Sequence, residues 1–259
     1  KTQLVAYPCG NTNTSYVIPA SVTEILPNAF HGTAFVADVT FEAGTKIKTI
    51  GTDAFGWSTS LVSIVIPDSV VTIKGAFTYC PKLKTVTYGK NSNVETISGG
   101  AFSSCDALEV VYIPAKAKDV SFPSTGAFAK VVVDPANPYY WADEHGAFFN
   151  KEKTKLICFP VDCETTNYTV PEGVKEIEKG AFSRCYALTN VTFPSTLEKI
   201  GTQAFYMCKN LKSVTIPANV SLIGDYAFDD CIALETVTFE ENSKLKEIGD
   251  DLFDDCESL

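Results

Sequence analysis

The chain has 259 residues, 45% apolar and 20% charged, with 21 Lys plus Arg against 31 Asp plus Glu, a net charge of −10. That composition is globular rather than disordered. The acidic balance argues against a nucleic-acid surface, which needs clustered cations, and against docking on anionic membranes. No apolar run approaches the roughly 20 residues that insert into a bilayer, and no signal-like apolar run follows Lys1.

The first element, Leu4-Val5-Ala6-Tyr7-Pro8, reads as a strand closed by proline. A repeat then takes over. Ala-Phe recurs at Ala29-Phe30, Ala54-Phe55, Ala76-Phe77, Ala101-Phe102, Ala127-Phe128, Ala181-Phe182, Ala204-Phe205 and Ala227-Phe228, with Leu252-Phe253 as an altered copy. Regular spacings are 22, 23, 25 or 26 residues. Three residues after Phe comes Cys, at Cys80, Cys105, Cys185, Cys208, Cys231 and Cys256, with Thr33 and Ser58 standing in early copies. Leu follows the Cys position by three, as at Leu83 and Leu211, and then an alternating pair such as Ile64/Ile66 or Val214/Ile216. A proline often follows, then Val or Leu three residues before an Ile, then Gly, as in Val220, Ile223 and Gly224.

The alternation has period two, so Val-x-Ile predicts a short strand with one buried face. Gly-x-x-Ala-Phe-x-x-Cys predicts a tight helical or 3₁₀ turn with Phe, Cys and Leu directed inward. No unit of this length buries such a face alone, so successive turns must stack. Equivalent strands then form one parallel sheet, in a single solenoid domain over residues 1–259 of about ten turns. Loops of variable length, such as Gly89-Lys90-Asn91-Ser92-Asn93, absorb the spacing differences at little cost.

The unit Leu-x-x-Val-x-Ile-Pro-x-x-Val-x-x-Ile-Gly-x-x-Ala-Phe-x-x-Cys resembles the BspA-type leucine-rich repeat over nearly the whole chain. The resemblance implies a leucine-rich repeat right-handed solenoid with its parallel strands on the concave face. It also implies a secreted or cell-surface protein, mostly of host-associated bacteria and some mucosal protists. Members are linked to adhesion to matrix proteins and to other cells.

The register breaks over residues 129–167. Gly146-Ala147-Phe148-Phe149-Asn150 and Lys155 to Pro160 flank the polar Lys151-Glu152-Lys153-Thr154, which predicts a β-hairpin insert near residues 146–160. The register resumes at Tyr168-Thr169-Val170-Pro171. Leu4 to Pro8 match Leu156 to Pro160, and Pro19 follows Pro8 by the same eleven residues that separate Pro160 from Pro171. Residues 1–8 are therefore expected to be the second strand of such a hairpin. Neither terminus reads as a solenoid cap, so the chain is expected to be a piece of a longer array, or to be capped by other chains.

The six repeated cysteines predict an inert buried ladder. Cys9, Cys158 and Cys163 lie outside it, and a Cys158–Cys163 disulfide is a pairing that spacing allows. Zinc is not expected, because tetrahedral sites need four N/S ligands and His31 and His145 are the only histidines. No phosphate loop, nucleophile elbow or zinc-protease motif is present. His145 reads as a solvated turn residue and Ser195 and Ser221 as loop serines, so neither an enzyme nor a cofactor is expected. The acidic C-terminal turns, including Asp229, Asp230, Asp254 and Asp255, read first as a solubilising surface and second as stacked oxygen ligands for calcium.

Two surfaces are candidates for a partner. The solvent face of the strands carries Thr85, Thr87, Tyr112, Asn190, Thr192, Thr215 and Thr238. Thr there also simply suits an exposed strand. The second is Tyr139-Tyr140-Trp141, which reads either as a sugar-stacking cluster or as a cover where the ladder Leu is missing. Asn13, Asn167, Asn190 and Asn219 open glycosylation sequons, which matter only in a eukaryotic secretory pathway. The expected function is adhesion: binding a host or bacterial surface or matrix protein through the concave face. The alternatives are a carbohydrate-binding module and a passive spacer.

Overall fold

The computed structural model describes residues 3–122 and 128–259. The chain packs as two compact units. The first is Lys1–Phe128 with Val132–Tyr139, and the second is Ala129–Val131 with Tyr140–Leu259. The boundary falls inside the predicted register break. The fifth Ala-Phe pair is described only from Phe128, since Ala127 lies outside the described residues.

Each unit is a parallel-strand solenoid, but with two rows of strands where one sheet was expected. In the first unit, Ser15–Ile18, Asp38–Phe41, Ser63–Ile66 and Thr85–Tyr88 form one parallel row. A second row runs through Gln3–Leu4, Glu24–Ile25, Thr49–Ile50, Thr72–Lys74, Thr96–Ser98 and Asp119–Val120. These short strands are the Val-x-x-Ile segments, and Ile25, Ile50 and Ile73 stand in register across them. In the second unit Asn167–Thr169, Asn190–Thr192, Ser213–Ile216 and Thr236–Phe239 form the longer row. The shorter row there includes Glu176–Ile177, Lys199–Ile200, Leu222–Ile223 and Glu247–Ile248.

The core between the rows is a column of rings. Phe30, Phe55, Phe77 and Phe102 stack at centroid distances of 4.8, 5.2 and 5.9 Å, with interplanar angles of 13° or less. Phe159, Phe182, Phe205, Phe228 and Phe253 repeat the column at 4.9, 4.8, 5.1 and 5.8 Å. The spacing is that of the hydrogen-bonded turns, since adjacent strands lie ~4.8 Å apart. The Phe N–H makes that bond itself: Phe55 donates to the Ala76 carbonyl at 2.8 Å and Phe205 to the Ala227 carbonyl at 2.7 Å.

The Ala-Phe segments are turns, not helices; no helix occurs among the described residues. The residue before Ala has a left-handed backbone, as at Asn28 (φ 62°), Asp53 (51°), Gly180 (66°) and Gln203 (56°). So has the second residue after Phe, as at Trp57 (58°), Tyr79 (60°), Arg184 (64°) and Met207 (61°). Two such residues around each Ala-Phe forbid a continuous helical run. At Gly75 (φ 55°) the approach is also close: a Cβ would stand 2.9 Å from the Gly99 carbonyl oxygen.

The insert forms as a hairpin and carries one strand more than expected. Phe148–Asn150 pairs antiparallel with Lys155–Cys158, and Tyr140–Ala142 pairs antiparallel with Phe148–Asn150. Lys155–Cys158 then pairs parallel with Glu176–Ile177, which joins the insert to the short row. In the first unit the segment within the break, residues 132–139, is held by Asn137. Its buried side-chain amide donates to the Pro114 and Ala117 carbonyls at 2.8 and 2.9 Å.

Candidate functional site

The solvent faces of the two long rows are built by the alternation itself. In Ser213–Ile216, Val214 and Ile216 are buried, so Ser213 and Thr215 must face water. Register lines these residues up from turn to turn. Ser63 pairs with Thr85 and Val65 with Thr87 in the first unit. In the second, Asn167 pairs with Asn190, Asn190 with Ser213, Ser213 with Thr236, and Thr215 with Thr238. Every predicted residue of this face, Thr85, Thr87, Tyr112, Asn190, Thr192, Thr215 and Thr238, is exposed.

The structure gathers some of these residues and not others. Asn190, Thr192 and Thr215 line one shallow pocket of about 220 Å³ with Ser213, Pro217 and Glu240. Thr87 and Tyr112 line an open groove of about 560 Å³ in the first unit, together with Lys116 and Asp134. A larger groove, about 740 Å³, is lined by Thr40, Val65, Asp68 and Asn93 among others. Val65, 58% exposed, belongs to this face, and so does the exposed Val17.

The long row of the second unit lacks charge, whereas that of the first carries the exposed Asp38. The eight outward positions of the second unit are Asn167, Thr169, Asn190, Thr192, Ser213, Thr215, Thr236 and Thr238. None is ionisable. The short rows are different. Glu176 is bonded by Lys155 and Lys199, each at 2.8 Å, and Lys175 meets Glu198 at 3.1 Å. Burial alone would raise the Glu176 carboxyl, but the two ammonium groups hold it below the usual carboxylate range.

The aromatic segment is divided. Tyr139 falls in the first unit and is exposed, while Tyr140 and Trp141 fall in the second and are half-buried. Tyr140 packs against Phe148 at 4.8 Å and Trp141 against Phe149 at 5.2 Å, across the antiparallel pair. Lys153 Nζ sits 3.7 Å from the Trp141 ring centroid. One pair of rings that sequence reasoning missed is more open. Trp57 and Tyr79, 47% and 46% exposed, stack at 4.1 Å with 8° between planes. The signal was available: the same repeat position holds Gly32, Ser104, Arg184 and Asp230, so the fold does not require an aromatic there.

The repeated thiols do more than fill space. Each donates to the carbonyl of the Phe one turn back: Cys80 to Phe55 at 3.0 Å, Cys105 to Phe77 at 2.9 Å, Cys208 to Phe182 at 3.0 Å and Cys231 to Phe205 at 3.2 Å. Burial pushes the Cys208 thiol up to about 12. Cys158 and Cys163 do not form a disulfide. Both are free thiols, and Cys163 Sγ donates to Thr165 Oγ1 at 2.9 Å, beside His145 Nδ1 at 3.2 Å from the same hydroxyl. Carboxylates of Asp229, Asp254 and Asp255 converge on adjacent turns. Partial burial first, and then the neighbouring Asp230, Asp254 and Asp255, raise the Asp229 carboxyl above its ordinary range. Among the described residues no helix is long and apolar enough to cross a membrane.

Comparison with known proteins places these features. The chain is similar in structure to the pneumococcal vaccine antigen PcpA, with a TM-score of 0.77 and 26% identity, over 98% of this chain and 70% of that one. It is similar to a leucine-rich cell-surface protein of Faecalibacterium prausnitzii, with a TM-score of 0.60 and 26% identity, over 92% and 79%. A leucine-rich repeat protein of Eubacterium ventriosum shares the fold, with a TM-score of 0.70 and 23% identity, over 86% and 65%. No curated protein sequence matches the chain. The model of the BspA-type leucine-rich repeat region matches six copies over residues 6–131 and 153–259, and the chain belongs to that family.

Proposed function

We propose that the chain is a non-enzymatic binding module of an extracellular or cell-surface protein. It recognises a surface or matrix protein, of a host or of another bacterium, through the solvent faces of its long strand rows. The observation that carries this reading is the uncharged run Asn167, Thr169, Asn190, Thr192, Ser213, Thr215, Thr236 and Thr238, in a chain where one residue in five is charged. Depletion of charge distinguishes the centre of a protein interface from ordinary surface. Ser, Thr and Asn supply hydrogen-bond donors and acceptors with little side-chain entropy to lose. The likeness to a vaccine antigen and to a cell-surface protein supports the location. A repeat offers one face many times rather than a single convergent pocket, which suits a broad partner better than catalysis.

The test is a binding screen against host matrix proteins and a glycan array at physiological salt, repeated with Thr192→Glu and Thr215→Glu together. The expected result is saturable binding of a protein, weakened at least tenfold by the double substitution while the thermal midpoint holds. Glycan binding alone would overturn the reading and point to Tyr139, Tyr140 and Trp141, the sugar-stacking alternative. Silence on both arrays, or protein binding indifferent to the double substitution, would also overturn it.

A further inference from the structure

We infer that the stacked pair Trp57–Tyr79 is a carbohydrate-binding platform, on which a neutral pyranose ring lies against the open face of the Trp57 indole.

The pair stands on the Ala-Phe turns, apart from both strand rows. Trp57 lies between Thr49–Ile50 and Ser63–Ile66, and Tyr79 between Thr72–Lys74 and Thr85–Tyr88. Gly32 N–H donates to the Gly56 carbonyl at 2.9 Å, Trp57 N–H to the Thr78 carbonyl at 2.8 Å and Tyr79 N–H to the Ser103 carbonyl at 2.8 Å. Each bond joins a residue to the following turn, so Gly32, Trp57, Tyr79 and Ser104 occupy successive rungs of one file. The backbone along that file is left-handed, with φ of 70°, 58°, 60° and 54°. Glycine adopts it freely, a bulky side chain only at a conformational cost. The core gains little in return, since both rings are turned to solvent. Backbone strain held without a packing reason is a mark of functional sites.

The two rings are 4.1 Å apart, closer than the 4.8, 5.2 and 5.9 Å of the buried column from Phe30 to Phe102. Tyr79 covers one face of the indole. The other face is directed to the rung of Gly32, which supplies no side chain, and a Cβ at Gly32 would meet nothing within 4 Å. The indole therefore borders an open slot one rung deep, ~4.8 Å, which suits a single flat ring. Among the described residues the Trp57 Nε1–H and the Tyr79 hydroxyl have no partner, and no cation lies over either ring.

These features select the ligand. A pyranose carries C–H groups on one face and hydroxyls on its rim, which match an aromatic face with hydrogen-bonding groups at its edge. A quaternary ammonium needs rings arranged around it as a cage, whereas these are parallel. Trp141 offers no such face: it is half-buried against Phe149, with Lys153 Nζ already 3.7 Å from its centroid.

The site is tested with the intact chain on a glycan array and by saturation-transfer NMR with the methyl glycosides of glucose, galactose, mannose and N-acetylglucosamine. The chain has two tryptophans, so Trp141→Phe assigns both indole N–H resonances. The expected result is saturable binding, saturation transfer to the sugar C–H protons and a shift of the Trp57 indole N–H. Trp57→Gly, which copies Gly32, should weaken binding at least tenfold, and Tyr79→Ser, which copies Ser104, should weaken it as well. Both residues are exposed, so the thermal midpoint should hold. Protein binding through the long rows should be unchanged by either substitution, so the two readings fail separately. Absence of saturable glycan binding, a shift of the Trp141 indole alone, or binding indifferent to Trp57→Gly would overturn the proposal. So would loss of protein binding in Trp57→Gly, since the pair would then belong to the protein interface. Should a substitution lower the midpoint, the Trp57 indole shift in the unsubstituted chain decides.

Discussion

The Ser58 hydroxyl donates to the Phe30 carbonyl one turn back, at 3.1 Å. It does there what the Cys208 thiol does for Phe182. The position therefore selects a small side chain with a hydrogen to give, and Cys is one solution. Thr33 extends the same arrangement, 3.0 Å from the Ser58 hydroxyl. Ser58→Ala should cost about 1–2 kcal/mol, because it removes one bond and leaves the buried Thr33 with one partner fewer. Ser58→Cys should cost less than Ser58→Ala. Urea midpoints of the two variants check the order, and equal losses would mean the hydroxyl contributes only volume.

Phe205 lies between Phe182 and Phe228 in the ring column and is fully buried. Phe205→Ala should cost on the order of 3–5 kcal/mol, as large core truncations do. Turns contact chiefly their neighbours, so loss of hydrogen-exchange protection should be greatest next to Phe205. A loss under about 1 kcal/mol would show that the column is not the source of stability.

Thiol chemistry should separate the cysteines by their place in the repeat. Cys9 is exposed, Cys163 and Cys256 are half-buried, and the rest are buried. Thiolates, not thiols, react, and burial keeps Cys158 and Cys208 protonated with values pushed up to about 12. Titration of the folded chain with an aromatic disulfide should modify Cys9 fast, two sites slowly and the remainder only on unfolding. Fast modification of more than three sites would contradict the ladder.

The Lys155–Glu176–Lys199 chain sets a pH dependence with a definite sign. Its carboxyl is lower in the folded state than in the unfolded one. Its contribution is complete at neutral pH, above the unfolded value, and is lost as pH falls through the folded value. Both lysines are about half exposed, so screening limits the effect to about 0.5 kcal/mol. Stability curves of the chain and of Glu176→Gln should converge below the ordinary carboxylate range and separate above it. Curves that stay parallel would assign the contact no linkage.

Much of this architecture was legible because its physics is local. Val214 and Ile216 announce a half-buried strand by alternation, and Pro217 closes it. The two polar-flanked apolar runs around Lys151 to Thr154 announce the hairpin in the same way. The left-handed turns were not legible where the residues mislead. Gly75 and Asn28 favour such a backbone, but Gln203, Arg184 and Met207 ordinarily favour helix, and the inter-turn bonds override them. The short row was hidden because two residues, such as Leu222–Ile223, are too few to show a period. Tyr140–Ala142 was hidden because its partners lie on the next strand of the insert, not in its own sequence. At the candidate face, exposure of Thr192 and Thr215 followed from alternation. Their convergence with Glu240 in one pocket depends on stacking, which only the fold reveals.

The Phe column has a consequence for how the molecule can change. Each ring meets the one before and the one after in nearly the same geometry, so the seam between turns is interchangeable. Removing residues 205–227 would bring Phe228 onto Phe182, at a junction already used between every other pair. Gene duplication or deletion in whole turns therefore adds or subtracts recognition area in steps of roughly 4.8 Å along the rows. The contact surface can be lengthened by copying, while each added rung remains free to vary its outward residues.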